Sequence, residues 1–167
     1  MATWDLSNCA CCDGGGFPTC LDRFPSDSVT VYAEFGIYTG TGSNSGCSDC
    51  TTLTIGEFIA DYIGASNDPP DCAIDYLFDE VFCTGFAIHS IQVTLLYFGG
   101  ANTYDVIIDW RTRFPAGGAT QFIYKLTGIS AATFEAGGDI SIPYFSRADL
   151  GPCQFYTPAV SVILRLP

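Results

Sequence analysis

The feature that most constrains this chain is a two-residue alternation of apolar and polar side chains, repeated in one segment after another. In IHSIQVTLLYF, Ile91, Val93, Leu95 and Tyr97 fall on one side of an extended chain. In TYDVIIDWRTR, Tyr104, Val106, Ile108 and Trp110 oppose Asp105, Ile107, Asp109 and Arg111. Successive side chains of a strand point to opposite faces, so this pattern buries one face and wets the other. The GGAN between the two segments reads as a turn, which makes the pair a hairpin. SVTVYAEFGIY sets Val29, Val31, Ala33, Phe35 and Ile37 against Thr30, Tyr32, Glu34 and Tyr38. After a second turn, FPAGGAT, the segment QFIYKLTGI puts Phe122, Tyr124 and Leu126 on one face. AVSVILRLP alternates Val160, Val162, Leu164 and Leu166 with Ser161, Ile163 and Arg165, a pattern expected to pin this segment into a sheet.

One stretch departs from the pattern. IGEFIADYIGA has Ile55, Phe58, Ile59, Tyr62 and Ile63 at helical spacing, with Glu57, Asp61 and a closing Gly64, and is read as a short amphipathic helix. Its β-branched and aromatic content keeps a strand as the alternative. SNDPPD is read as a rigid loop, because proline cannot donate to a ladder. With 18 glycines and 9 prolines to break up 167 residues, turns follow the strands closely. The expectation is an all-β domain, a β-sandwich or jelly-roll, with at most one short helix. It would occupy residues 26–167, behind a cysteine-rich N-terminal segment, residues 1–25.

Charge removes several classes of function. Eighteen acidic residues against six basic ones give a formal net charge of −12, and only Arg111 and Arg113 among the bases lie close together. Nucleic acid and anionic membranes need a basic patch, so neither is expected as a partner. No run of eighteen apolar residues indicates a transmembrane helix. No basic and then apolar leader precedes Cys9, so a chain starting at Met1 is expected to be made in the cytoplasm without a signal peptide. Only 14% of residues are charged, well under the usual ~25%. A surface polar through Ser, Thr, Asn, Gly and Tyr suits a chain packed against neighbours; a large β core with neutral loops gives the same composition.

Nine cysteines, Cys9, Cys11, Cys12, Cys20, Cys47, Cys50, Cys72, Cys83 and Cys153, fall mostly at loops and element edges, where disulfides are the first reading. A bridge from the N-terminal group to Cys47 or Cys50 would close a loop of about 35 residues, worth about 4 kcal/mol in the chain-entropy picture. Cys72 and Cys83 flank AIDYLFDEVF and are candidates for a second clasp. The odd total leaves a thiol free or bonded to another chain. The alternative is zinc held by Cys9, Cys12, Cys47 and Cys50, on the two-residue spacing of Cys47 and Cys50. A redox pair at Cys47 and Cys50 is the third reading, but the pair lacks the expected helix N-terminus.

Catalytic signatures are weak. His89 is the single histidine and lies in a strand pattern, where a structural role is the expectation. Asp105 and Asp109 share a face about 13 Å apart, too far for a glycosidase pair. The acidic run Asp68, Asp71, Asp75, Asp79 and Glu80 lacks a calcium-loop spacing and reads as solvated charge. Gly14, Gly15 and Gly16 are not followed by the Lys-Ser/Thr of a phosphate loop. No enzymatic activity and no cofactor are expected.

The order of features, CACC before SVTVYAEFG, then CSDC opening onto TTLTI, then CQFYTPAVSVILRLP, resembles small cysteine-rich β proteins of phages and planctomycete-type bacteria. The NGTY-like segment of that pattern is absent, and no functional residue is carried over. The resemblance implies a virion or surface β domain: a capsid cement or tail component, homo-oligomeric and bound to other virion subunits. Made in the host cytoplasm and released by lysis, such a protein could oxidise its cysteines once outside. The second reading is a receptor- or carbohydrate-binding adhesin of a virion or cell surface, marked by exposed aromatics such as Trp4, Tyr38, Tyr104 or Trp110.

Overall fold

The hairpin read from alternation is present and is the centre of the structure. In the computed structural model, β5 (Ala87–Phe98) and β6 (Thr103–Arg113) pair antiparallel from Phe98↔Thr103 to Ile88↔Arg113 around a turn at 99–102. Asn102 adopts a left-handed backbone (φ 53°) in that turn, a conformation asparagine tolerates better than most residues. The structure describes residues 24, 28–32, 40–41, 57–65, 72–82, 87–113, 119–150, 154–155 and 161–167.

On either side of this hairpin the sheet grows one sequence neighbour at a time. β3 (Glu57–Ala65) pairs with β4 (Cys72–Phe82), and β4 with β5. β6 pairs with β7 (Ala119–Ser130), and β7 with β8 (Gly138–Leu150). β10 (Ser161–Leu166) pairs with β8, and β1 (Ser28–Tyr32) closes the ring by pairing with both β10 and β3. The result is a closed, eight-stranded antiparallel barrel in the order β1-β10-β8-β7-β6-β5-β4-β3. β2 (Gly40–Thr41) and β9 (Gln154–Phe155) form a separate two-stranded sheet.

All-β is therefore correct, and the sandwich or jelly-roll is not. Sandwich and barrel strands carry the same alternation, because both bury one face of a pleated sheet. What separates them is the pairing of β1 with β10, a contact between the two ends of the ring. Closure leaves no sheet edge to protect.

The interior is filled by side chains from all eight strands. Trp110, Tyr76, Tyr104, Tyr124, Phe122, Ile74, Ile91, Leu95 and Ile108 are all but fully buried. Aromatic side chains of this size each remove about 150–250 Å² from water, so a handful fills a barrel of eight strands. Outward positions carry Asp75, Gln92, Thr94, Asp105, Asp109, Gln121 and Lys125, half-buried in the sheet's outer surface. No helix among the described residues is long and apolar enough to cross a membrane.

The stretch read as a helix is strand β3. Phe58 (5% exposed) and Ala60 (0%) face inward while Ile59 (57%) and Ile63 (55%) face outward, a two-residue period rather than a 3.6-residue one. The flanking strands decide the matter: β1 and β4 each supply ladder partners to this segment. Gly64, read as a helix stop, has φ +149° and sits where the β3–β4 register shifts, as glycine does at bulges. The helix among the described residues is instead α1 (Ala131–Glu135), between β7 and β8. Ser130 caps it, its side chain accepting from the Thr133 N–H at 3.2 Å.

Helix α1 closes one end of the barrel. The Ala131 N–H donates to the Asn102 carbonyl at 3.0 Å, tying the helix to the β5–β6 turn. Phe134 stacks on Tyr104 (4.0 Å between centroids, 11° between planes), Tyr97 leans on the same ring at 4.9 Å, and Phe24 meets it edge-on at 5.7 Å. The polar tips point outward: the Tyr104 hydroxyl donates to Glu135 Oε1 at 2.8 Å and the Tyr97 hydroxyl to Asn102 Oδ1 at 3.0 Å.

Candidate interaction surface

The residues singled out in the sequence for chemistry separate on the structure. Cys9, Cys11, Cys12, Cys20, Cys47, Cys50, Cys83 and Cys153 lie outside the described residues, and with them the zinc set and the Cys47–Cys50 pair. Cys72 opens β4, is 2% exposed and is disulfide-bonded. The Cys72–Cys83 clasp is ruled out by β4 itself. An unbroken strand from Cys72 to Phe82 spans about 33 Å, and a disulfide needs its α-carbons within about 7 Å. His89 sits in β5, opposite Glu80 on one side and Thr112 on the other.

The acidic residues are engaged in holding the barrel. Asp75 accepts from the Thr94 hydroxyl at 2.5 Å and from Gln92 Nε2 at 3.3 Å, tying β4 to β5. Asp109 accepts from Arg111 Nη2 at 2.5 Å and from Gln121 Nε2 at 2.9 Å, tying β6 to β7. Its carboxylate holds the Arg111 guanidinium charged more firmly than usual, by hydrogen bond first and by charge second. Asp105 accepts from the Gly128 N–H at 2.8 Å, close to where the β6–β7 register shifts. Gly128 itself has φ +70°, so that irregularity needs glycine. Asp75 and Asp79 are thus strand residues rather than loop charge, and Asp68 and Asp71 lie outside the described residues. No cluster of three metal-ligating side chains occurs among the described residues.

Two aromatics named as candidate adhesin contacts are interior. Tyr104 is 0% and Trp110 2% exposed, Trp110 packing edge-on to Phe58 at 5.1 Å. They fill the barrel and do not present to a ligand outside it. Trp4 and Tyr38 lie outside the described residues.

What the structure exposes instead is apolar surface on the strands that flank the closure. Ile59 and Ile63 project from β3, and Phe145 (65% exposed) from β8, with Lys125 Nζ 6.0 Å from its ring centroid. Between β3 and β8 run β1 and β10, where Tyr32 stands opposite Ile163. Arg165 lies two strands from Ile59, both opposite Thr30. It donates from Nη1 to Glu57 Oε1 at 2.7 Å and from Nε to Asp139 Oδ1 at 2.7 Å, spanning four strands. The two acids hold Arg165 above its ordinary range, chiefly through the Asp139 hydrogen bond, and Arg165 holds the Asp139 carboxyl below its own. Comparison with protein-family models, with curated proteins and with solved structures gives no match.

Arg165 was visible in the sequence only as an outward residue of the last strand. Its partners are 108 and 26 residues away in the chain, and no local pattern joins them. Arg147 was missed altogether: it stands opposite Phe122 in the β7–β8 ladder with its guanidinium 5.6 Å from that ring's centroid. A register shift between Ile123 and Tyr124 precedes it, and such a shift breaks the parity from which sequence alternation is read.

Proposed function

We propose that this protein is a non-enzymatic structural component of a virion, a capsid cement or tail subunit, working through protein–protein contacts made by the outer face of the barrel. The observation that carries the reading is exposed apolar side chains on the barrel's outer face, Ile59 and Ile63 on β3 beside the Arg165 ion pairs and Phe145 on β8, about 20 Å along that strand from Asp139. An interface core of large apolar groups with polar groups close by is the usual make-up of a protein contact. The closed ring supports the reading as well, because a barrel without free edges joins neighbours through its face rather than by adding strands. A disulfide at Cys72 suits a particle that meets oxidising conditions after release. A second copy of the chain is the first partner to test, since most soluble oligomers are built from identical subunits.

The test is sedimentation velocity over a hundredfold concentration range, on the native protein and on Phe145→Asp and Ile59→Asp. Self-association that both variants abolish, with unchanged far-UV circular dichroism, is the expected result. A monomer at every concentration that also fails to bind isolated particles would overturn the proposal. Turnover of any substrate by the purified monomer would replace it with an enzymatic one.

A further inference from the structure

Two β-bulges each set a large apolar residue outside its ladder. Between β3 and β4, Tyr62 pairs with Tyr76 and Gly64 with Asp75, so Ile63 has no ladder partner of its own. Between β7 and β8, Ile123 pairs with Ser146 and Tyr124 with Tyr144, which leaves Phe145 unmatched. A bulge re-aims its side chain, and both of these meet solvent, Ile63 at 55% and Phe145 at 65% exposure. Each belongs to a different patch. Beside Ile63 on β3 lie exposed Ile59 and Asp61, with half-buried Leu77 opposite Asp61 and exposed Asp79 two residues further along β4. Beside Phe145 lies Lys125, Nζ 6.0 Å from the ring centroid, with half-buried Ile123 opposite Ser146 and Ile107 opposite Lys125. Asp61, Asp79 and Lys125 form no ion pair among the described residues. The first patch is therefore apolar and acidic, the second apolar and basic. In the ring of eight, β7 and β8 stand four strands from β3 and β4 whichever way round they are counted. The patches lie on opposite walls of the barrel.

Resting on the reading that the outer face makes the protein's contacts, we infer that each patch is covered by the unlike patch of a second copy of this chain. Set against itself, the β3–β4 patch would bring Asp61 and Asp79 onto the same carboxylates, in a chain whose net charge is already −12. The Phe145 patch set against itself would oppose two Lys125 ammonium groups. Like charges facing one another suppress a contact, and opposite charges steer it and fix its register. Unlike patches place Lys125 among Asp61 and Asp79, and Phe145 against Ile59 and Ile63. Such a contact is heterologous. A pair of copies still offers one patch of each kind, so assembly runs past the dimer to a ring, or to an open filament if the rotation does not close.

The test is sedimentation velocity on the full chain and its surface variants, each with unchanged far-UV circular dichroism. The native protein is expected to form species larger than a dimer. Ile59→Asp and Phe145→Asp are each expected to stay monomeric, because each lacks one patch. Mixed in equal amounts they are expected to give a dimer and nothing larger, since each supplies the patch that the other lacks. Lys125→Glu is expected to weaken association about tenfold, and adding Asp61→Lys to the same chain to recover part of that loss. A mixture that stays monomeric while the native protein associates would indicate a two-fold contact and overturn the inference. Association by either variant alone would overturn it too, as would a native protein that is monomeric at every concentration. That last result leaves the virion proposal standing wherever the monomer binds isolated particles, so the two fail separately.

Discussion

Arg165 on β10 reaches past β1 to Glu57 on β3, 2.7 Å from Nη1 to Oε1, so one guanidinium spans the place where the ring closes. Its Nε holds Asp139 on the other side, and both ion pairs are exposed. Exposed pairs contribute little one at a time, and a guanidinium shared by two acids is the case in which they add.

That arrangement fixes a pH dependence. Asp139 has its acidity strengthened by Arg165, so the stabilisation it gives is complete above the ordinary carboxylate range and is lost as pH falls through the lowered folded value. Arg165→Ala is expected to lower the urea midpoint at pH 7 and to leave it close to the native one at pH 2. A midpoint difference that persists in acid would mean Arg165 acts through packing instead.

The aromatic end should be the most sensitive part of the core. Phe134→Ala removes the ring stacked on Tyr104 and is expected to cost about 3–5 kcal/mol in urea unfolding. Tyr104→Phe removes the hydrogen bond to Glu135 and keeps the ring, with an expected cost of about 0.5–1.5 kcal/mol. Equal losses for the two variants would show that the stack is not what holds the helix.

Neighbouring residues on β3 should answer differently. Ala60→Leu forces three extra carbons into the filled interior and is expected to destabilise by about 1–3 kcal/mol. Ile59→Ser changes an outward side chain, for which about 0.5 kcal/mol or less is expected in the isolated chain. A helix at this position would make Ile59 the more costly of the two.

Tyr76 offers a spectroscopic check of the interior. Burial first, and the nearby Tyr62 second, push its hydroxyl above the ordinary tyrosine range. Its neutral form is favoured by folding, so stability is unaffected below about pH 10 and falls as pH rises beyond it. In an alkaline absorbance titration, Tyr76→Phe is expected to remove one tyrosine from the last phase, the one coincident with unfolding. Loss from the first phase would place Tyr76 in contact with water.

The inward residues of β5, β6, β7 and β10 were legible because alternation is a local property. Ile91, Tyr104, Phe122 and Leu164 could be placed on the buried face without knowing any neighbour. β3 was misread because the outward Ile59 and Ile63 combine with the inward Phe58 and Tyr62 to give a helical spacing, and only the ladders from β1 and β4 reveal the strand. Closure was illegible for a related reason: nothing in SVTVY or SVILRL names the other as its partner. The candidate surface was equally hidden, because Ile59 and Phe145 acquire meaning only after the inward positions are filled. The cysteines gave the opposite case, a conspicuous signal whose pairing depends on distances that spacing does not carry.

The pairing of β1 with β10 also sets the order of events in folding. Thr30 meets Arg165 across 135 residues of chain (165 − 30), so the ring cannot shut before the last strand has left the ribosome. Until then the edges of β1 and β8 that face the gap are open to any other extended chain. Contacts this distant slow folding, and the nascent barrel is expected to depend on chaperones for as long as it stays unclosed.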